Sequence, residues 1–321
     1  MKSFNYRKLT INVLWLFFAC ATLYGMSRLY YQSTGGFSIQ NISSDYSYNP
    51  AWETNSLKDS EKEYVDSILS QKFVYLGKGC QSYVFTSGDG DYVIKFFKYQ
   101  RFRTAKWVEF FTFIPWVDDY YLKKVQKKRV KLEGVFSSWC IAFDHLSDET
   151  GVVYVHLNKT DHLQKSVSII DKAGYEHKIW IDDFEFMIQK RAKMLCDEID
   201  ELMAEGGIDQ AQKMLVSLVD TILDEYHRGY ADNDHALMQN TGIIEGKPVH
   251  IDVGQFVSEE IVKNPNFHMQ ELYTKTYKFR IWLRDTYPEL CDRFEEYLQD
   301  VIGNDFVEMK PLWRDRIEIF Q

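Results

Sequence analysis

The sequence contains little clustered positive charge. Its 321 residues include 38 Lys and Arg against 47 Asp and Glu, so the formal net charge is −9. Binding to nucleic acid requires basic groups that neutralise phosphates, and the charge balance therefore argues against a nucleic-acid partner. One predicted helix is the exception, with basic residues at Lys123, Lys124, Lys127, Lys128, Arg129 and Lys131. We interpret them as a solvated face, with contact to anionic lipid or an acidic substrate as the alternative.

Cysteine is also sparse, and its positions exclude a disulfide framework. Cys80, Cys140, Cys196 and Cys291 show neither paired spacing nor a metal-binding pattern, so we predict free thiols. The sequence contains no internal repeat and no low-complexity tract. The roughly 260 residues that follow the amino-terminal segments are enough for one two-lobed domain with its own core.

The amino end contains a long uncharged run. Nineteen residues without charge separate Lys8 from Arg28, and a helix of this length nearly spans the ~30 Å hydrocarbon layer. We predict a tail at 1–8, a transmembrane anchor or signal segment at 9–27 and a flexible linker at 28–57. Because no Ala-x-Ala cleavage site is evident, an uncleaved anchor is favoured.

A glycine turn followed by a lysine is the most informative motif. The chain reads Gly77-Lys78-Gly79-Cys80-Gln81-Ser82-Tyr83-Val84 and, after an acidic turn, Val93-Ile94-Lys95. Glycines at the first and third positions let backbone amides approach phosphate oxygens, and the next strand returns an ammonium to the same place. We predict strands at 73–76, 83–85 and 92–97, with a hairpin turn at 87–90.

A second polar segment follows a predicted amphipathic helix at 208–227. It reads Gly229-Tyr230-Ala231-Asp232-Asn233-Asp234-His235-Ala236-Leu237-Met238-Gln239-Asn240, and then Val249-His250-Ile251-Asp252-Val253-Gly254. We predict a short turn at 241–246 and a strand at 247–251 that delivers Asp252 to the cleft.

Together the two segments resemble the protein-kinase-like superfamily, which spans protein kinases and many sugar, lipid and antibiotic kinases. The resemblance implies an α+β, two-lobed fold, with a strand-rich N-lobe at 58–192 and a helical C-lobe at 193–321. It also implies that ATP and Mg²⁺ are bound and that the γ-phosphoryl group passes to a hydroxyl acceptor. The third glycine of the family's loop is Ser82 here.

The resemblance implies roles for single residues. Asp234 would orient or deprotonate the acceptor hydroxyl, and Asp232 is the alternative base, since the distance from Asp234 to Asn240 is six positions where protein kinases have five. Asn240 and Asp252 would hold magnesium. The nucleotide would be bound by Gly77, Lys78, Gly79, Ser82, Val84 and Lys95, with backbone groups of Gln189 to Arg191 facing the adenine.

The family pairs its lysine with a carboxylate on a helix, because an unpaired ammonium near low-dielectric sheet is poorly held. Two candidates compete. Glu109 lies in an aromatic, proline-interrupted stretch. Glu133 lies in a predicted helix at 118–146, on a stripe shared with apolar residues, and is preferred.

The remaining pattern places strands before helices. We predict a strand at 152–157, a hairpin of strands 167–170 and 177–181, a strand at 184–189 that ends at the hinge, and helices at 197–205, 208–227, 269–286 and 288–302. Strands first and helices second is the order of the two lobes.

These features predict an ATP-dependent phosphotransferase. No Ala-Pro-Glu element follows Asp252, which favours a non-peptide acceptor. Two alternatives stay open. One is a membrane-tethered pseudokinase that binds nucleotide or acts as a scaffold. The other is a metal-dependent phosphohydrolase with ligands from His227, Asp232, Asp234, His235, His250 and Asp252.

The side of the membrane also stays open. Basic residues before the span outnumber those close after it: Lys2, Arg7 and Lys8 against Arg28. By the positive-inside rule this bias places the domain outside the cytoplasm, whereas the need for ATP places it inside. We therefore predict a single-pass membrane protein without assigning its orientation.

Overall fold

The computed structural model describes residues 6–313, with side chains from residue 10 onward except those of 106 and 107. It is a mixed α/β structure with a sheet-rich first part and a helical second part. The strands are β1 Lys72–Lys78, β2 Ser82–Ser87, β3 Tyr92–Phe97, β4 Val152–His156, β5 Ser166–Ile170, β6 Glu176–Trp180, β7 Phe186–Lys190, β8 Lys193–Met194, β9 Tyr230–Asp232, β10 Thr241–Ile244, β11 Lys247–His250 and β12 Phe256–Ser258. The helices are α1 Tyr6–Thr34, α2 Ile39–Ile42, α3 Asp59–Leu69, α4 Tyr99–Phe102, α5 Lys106–Glu109, α6 Pro115–Asp144, α7 Ser147–Thr150, α8 Leu195–Ala204, α9 Ile208–Arg228, α10 Leu237–Asn240, α11 Pro265–Thr286 and α12 Pro288–Ile302.

A seven-stranded sheet forms the first part. Its strand order is β4-β7-β3-β2-β1-β5-β6, and only the β1–β5 pair is parallel among the described strands. The predicted strands are confirmed, and β3 has the expected bounds. Along β2, buried residues alternate with half-buried ones, which is the period of a strand with one face in the core. The β5–β6 hairpin extends the sheet beyond β1.

The long helix α6 packs beside β3 through aromatic side chains. The ring of Phe97 lies 4.0 Å from the ring of Trp139 and 4.7 Å from that of Phe136, measured between centroids. Pro115 occupies the first turn of α6, where a missing N–H costs nothing. These contacts fix the second half of α6 against the strand that carries Lys95.

The helical part is built on α9, which is amphipathic as predicted. Its buried stripe includes Leu215, Leu218 and Ile222. The helix ends at Gly229 in the left-handed conformation (φ 89°), which glycine adopts without strain. The chain then turns directly into the second polar segment, so this cap positions that segment at the end of the core.

The predicted flexible linker at 28–57 is wrong for much of its length. Phe37 and Ile42 are fully buried in the core of the sheet-rich part, and Trp52 packs its ring 4.8 Å from that of Phe136. Asn49 and Asn158 exchange two hydrogen bonds of 2.9 and 3.0 Å. The aliphatic content of this stretch is low, but its few aromatic and aliphatic residues bury enough surface to fold it onto the sheet.

The amino-terminal helix runs further than the uncharged segment. Within α1, residues Thr10–Thr34 are long and apolar enough to cross a bilayer, by length and composition, and they are not buried against the rest of the chain. The five cysteines, at positions 20, 80, 140, 196 and 291, are all free, which confirms the thiol prediction.

Candidate functional site

A cleft of ≈ 1520 Å³ lies between the sheet and the helical part. Residues from both polar motifs line it, although they are far apart in sequence. The predicted site residues that it brings together are Gly79, Ser82, Val84, Lys95, Gln189, Arg191, Asp234, Asn240 and Asp252. Gly77, Lys78, Glu133 and Asp232 lie outside this lining.

Lys95 lies on β3 and points toward the opposite wall. Its Nζ donates a hydrogen bond to the Ile251 carbonyl, the residue before Asp252. Burial lowers the pKa of Lys95 to about 8, and the charge of Asp252 opposes this effect. The ammonium is therefore held in a poorly solvated place where an added anion would stabilise its charged form.

Asp252 is the centre of an acidic group. Burial raises the pKa of Asp252, and the nearby carboxylates of Asp232 and Asp234 raise it further, whereas Lys95 lowers it. A half-buried carboxylate beside two others favours a bound cation. Its Oδ1 accepts a 3.3 Å hydrogen bond from the Gly254 amide, which orients the side chain.

Asn240 lies next to Asp252 because the two motifs form a hairpin. The Asn240 carbonyl accepts a 2.7 Å hydrogen bond from the Ile251 amide. The predicted turn at 241–246 is instead mostly strand, since β10 pairs antiparallel with β11 and only the Glu245-Gly246 tip turns.

The Asn240 side chain is buried, and its Nδ2 has no hydrogen-bond partner among the described residues. Carboxylate and amide oxygens in a cleft are the ligands that hard divalent cations prefer, so this pair fits magnesium.

The two candidate bases have different environments. Asp234 lines the cleft, and its carboxylate accepts hydrogen bonds from the Ala236 amide at 2.9 Å and from Gln255 Nε2 at 3.0 Å. Asp232 is buried instead and accepts a 3.1 Å hydrogen bond from Lys275 Nζ. The geometry therefore favours Asp234 as the group that can reach an acceptor.

Two buried side chains tie the cleft walls together. Ser138 of α6 donates to the Val253 carbonyl and accepts from the Phe256 amide, both at 2.6 Å. Gln189 Nε2 donates to the Thr150 carbonyl at 2.5 Å and the His250 carbonyl at 2.9 Å. The segment that carries Asp252 is thus fixed to α6 on one side and to β7 on the other.

The expected pair of Lys95 with Glu133 is not formed among the described residues. Glu133 receives a 2.9 Å bond from Arg129 one turn earlier on the exposed side of α6, and its side chain is 41% exposed. The helix face toward the cleft presents Lys131 and Gly134 instead. The prediction failed because Glu133 lies at the margin of the buried face of α6, which is formed by Leu132, Val135 and Phe136.

The glycine turn closes as a hairpin, but Lys78 does not face the cleft. The Gly79 amide donates to the Ser82 carbonyl at 3.0 Å. Lys78 Nζ lies 2.8 Å from the Tyr31 hydroxyl at the end of α1. A β-bulge between Tyr75 and Gly77 places Lys78 opposite Tyr83, on the face of the sheet turned away from the cleft, so its predicted phosphate contact is not supported. The Gln81 side chain is directed into the cleft, against Gly254.

Two backbone amides of the expected hinge already have hydrogen-bond partners within the chain. The Arg191 amide donates to the Asp91 carbonyl at 2.7 Å, and the Lys190 amide donates to the Gly151 carbonyl at 2.8 Å. These two donors are therefore already used. The cleft lining continues through Ala192, which is the next residue at this edge.

The hydrolase ligand set is not assembled. His250 Nε2 bonds to Glu225 and His235 Nε2 to Glu271, each at 2.9 Å, so these rings have structural partners. Among the described residues, the side chains of His156, His162 and Asp182 lie close enough together to hold a metal ion, and they lie away from the cleft.

Several residues of the site were not identified from the sequence. They are Gln81, Ser138, Gln255 and Lys275. Gln255 follows the Asp-x-Gly motif directly, so its position was a usable signal. Ser138 and Lys275 lie on helices far from both motifs in sequence, and no local pattern marks them.

No protein-family model and no curated protein matches this chain. Among solved structures, two of WbdD are similar to it. The medium-resolution structure of "the bifunctional kinase- methyltransferase WbdD" is 14% identical, over 71% of this chain and 47% of that one, with a TM-score of 0.33. The high-resolution structure is 14% identical, over 73% and 46%, with a TM-score of 0.35. The chain spans about half the length of these WbdD structures.

A third solved structure is the complex of Rv3197 with erythromycin from Mycobacterium tuberculosis. It is 12% identical over 91% of this chain and 75% of that one, with a TM-score of 0.33. These identities and scores assign no family to the chain.

Proposed function

We propose that the cleft binds ATP with Mg²⁺ and that the protein is an atypical kinase, which transfers the γ-phosphoryl group to a hydroxyl acceptor. The observation that carries the proposal is the meeting of Lys95, Asn240 and Asp252 in one cleft. An ammonium, an amide and a carboxylate from three separate segments have little structural reason to converge there. They match the charges of a metal–triphosphate complex.

Each residue has a defined task. Lys95 would neutralise phosphate oxygens, and the burial that lowers its pKa to about 8 means that a bound anion would favour its charged form. Asn240 and Asp252 would hold magnesium, which supplies charge neutralisation to the phosphates when bound. Asp234 would accept a hydrogen bond or proton from the acceptor, and Gln255 keeps its carboxylate oriented.

The adenine would enter beside Ala192. The amides of Lys190 and Arg191 already donate hydrogen bonds within the chain. The backbone groups that would face the adenine therefore come after Arg191, later in the chain than the sequence predicted. The absence of an Ala-Pro-Glu element still favours a non-peptide acceptor.

The test is turnover by the full chain in detergent or nanodiscs, since residues 35–52 belong to the core of the sheet-rich part and cannot be removed. ADP release with magnesium and ATP is compared for the wild type, Asp234→Asn and the surface control Asp220→Asn. We expect turnover that Asp234→Asn lowers about 100-fold or more and the control leaves unchanged.

A pseudokinase is the second candidate, because Lys95 lacks the expected helix carboxylate. Binding of nucleotide with no turnover in the wild type would select it. Hydrolysis of ATP that is indifferent to Lys95→Met would refute both and favour a phosphohydrolase.

A further inference from the structure

The first half of α6 projects from the body of the protein. Between Val117 and Leu132 no residue of this described helix is fully buried, whereas the second half packs on β3. Residues 110–127, which include the start of α6 and the stretch before it, are called the arm below.

The arm exposes large aromatic side chains close together. Phe110 is 75% exposed, and Phe113 and Trp116 are each 74% exposed. Tyr120 is also more than half exposed. Single exposed apolar residues are ordinary, but a contiguous group marks a surface that is covered in use.

Basic residues follow the aromatic ones on the same side of the helix. Trp116, Tyr120, Lys124 and Lys127 recur at spacings of four, four and three, which places them on one face. The arm contains three basic residues (Lys123, Lys124 and Lys127) and two acidic ones (Asp118 and Asp119), and Lys128, Arg129 and Lys131 follow it directly, in a chain whose net charge is −9. One of the acidic residues, Asp119, pairs with Lys123 at 2.8 Å, on the surface.

The base of the arm is linked to the segment that follows α1. Arg103 donates to the Gln40 carbonyl at 3.0 Å and to the Ser43 carbonyl at 2.5 Å, in that segment. Lys128, the residue after the arm, in turn donates to the Arg103 carbonyl. The bilayer that would hold α1 would therefore lie near the base of the arm.

We propose that the arm binds the anionic surface of that bilayer, with its aromatic residues at the interface and its lysines against lipid phosphates. Tryptophan and tyrosine are enriched at membrane interfaces, and helices with aromatic and basic residues lie in the interface plane. The charge and the position beside α1 favour a lipid surface over a second copy of this acidic chain. Since Lys131 and Gly134 line the cleft on the same helix, this contact fixes how the cleft is held above the membrane.

The test uses quenching of tryptophan emission in full-length protein reconstituted in nanodiscs. The discs contain phosphatidylcholine and phosphatidylglycerol, with or without brominated acyl chains. The emission lost in Trp116→Phe reports the arm, that lost in Trp15→Phe reports α1, and that lost in Trp313→Phe reports an exposed position beside α11 in the helical part. We expect the Trp116 and Trp15 emissions to be quenched and the Trp313 emission to be unchanged.

A charge comparison completes the test. Lys124→Glu combined with Lys127→Glu, or omission of phosphatidylglycerol, should reduce quenching of Trp116 but not of Trp15, while Lys213→Glu on the exposed side of α9 should change neither. Unquenched Trp116 beside quenched Trp15 would overturn the proposal. Trp116 emission that changes with protein concentration but not with lipid would also overturn it, because it would indicate contact with a second copy. Unquenched Trp15 would overturn it as well, because it would show that α1 is not inserted.

Discussion

Ser138 donates a 2.6 Å hydrogen bond to the Val253 carbonyl and so joins the middle of α6 to the segment that carries Asp252. The same hydroxyl accepts from the Phe256 amide at 2.6 Å. A single buried side chain therefore satisfies two backbone groups of this segment. Movement of α6 and movement of Asp252 are coupled through it.

Replacing this hydroxyl should weaken the fold. In Ser138→Ala the Val253 carbonyl and the Phe256 amide lose their partner in a buried place, which costs about 1–3 kcal/mol. The free energy of unfolding in urea measures this loss. Ser137→Ala, at the exposed neighbouring position, is the control and should stay within about 0.5 kcal/mol of the wild type. Equal stability of both variants would show that Ser138 has no such role.

Substitutions of the two aspartates of the second motif should have different effects on stability and on turnover. Asp232→Asn removes the charge that faces the buried Lys275 and should destabilise the protein by about 3–5 kcal/mol. Asp234→Asn should leave stability nearly unchanged and lower turnover, because its side chain faces the cleft. Thermal unfolding and turnover are measured on the same preparations. The reverse pattern would make Asp232 the catalytic candidate.

Glu185 provides a test of pH dependence. Burial raises the pKa of Glu185, although Ser44 donates a 2.6 Å hydrogen bond to it. Above the ordinary Glu pKa of about 4.3, the folded state keeps a proton that the unfolded state has lost, so stability falls as pH rises through this interval. Glu185→Gln removes this cost and keeps an oxygen for Ser44.

We therefore expect Glu185→Gln to be more stable than the wild type at pH 7 and equal to it near pH 4. Urea unfolding at the two pH values measures the difference. Glu63→Gln on the exposed side of α3 is the control and should match the wild type at both. A variant that is less stable at pH 7 would mean that the Glu185 charge is stabilising.

Gln81 should limit access to the phosphate side of the cleft. A Cβ built on Gly254 would lie 2.3 Å from Gln81 Oε1, and this oxygen is buried without a partner among the described residues. In the proposed complex, a nucleotide whose phosphates reach the glycine turn would displace this amide. Gln81→Ala should then bind nucleotide about threefold more tightly, less than 1 kcal/mol, in an equilibrium titration. Weaker binding would show that the amide contacts the ligand.

Local patterns in the sequence were enough for the seven strands of the large sheet, the glycine turn and the main helices, but not for short strands such as β10, which was predicted as a turn. The bounds of β3 follow from its flanking turns, and α9 follows from its apolar period. They were not enough for relationships between distant segments. The pairing of Asp232 with Lys275 and the contact of Lys78 with Tyr31 each join residues that no local pattern connects.

Glu133 shows the reason most clearly. The apolar stripe of α6 was assigned from spacing alone, and in this half of the helix the buried face is formed by Leu132, Val135 and Phe136, which leave Glu133 at its margin. The stretch at 35–52 failed for the opposite reason. Its average composition is polar, and a few residues, among them Phe37, Ile42 and Trp52, attach it to the core.

Equilibrium binding of ATP to the full chain, with and without Mg²⁺, tests the central claim most directly. We predict magnesium-dependent binding that Lys95→Met weakens about tenfold or more, by 1.4 kcal/mol or above. Asp252→Asn should remove the dependence on magnesium, and Lys213→Met on the exposed side of α9 should change nothing. Binding that is absent in the wild type, or that is unaffected by both Lys95→Met and Asp252→Asn, would contradict the account.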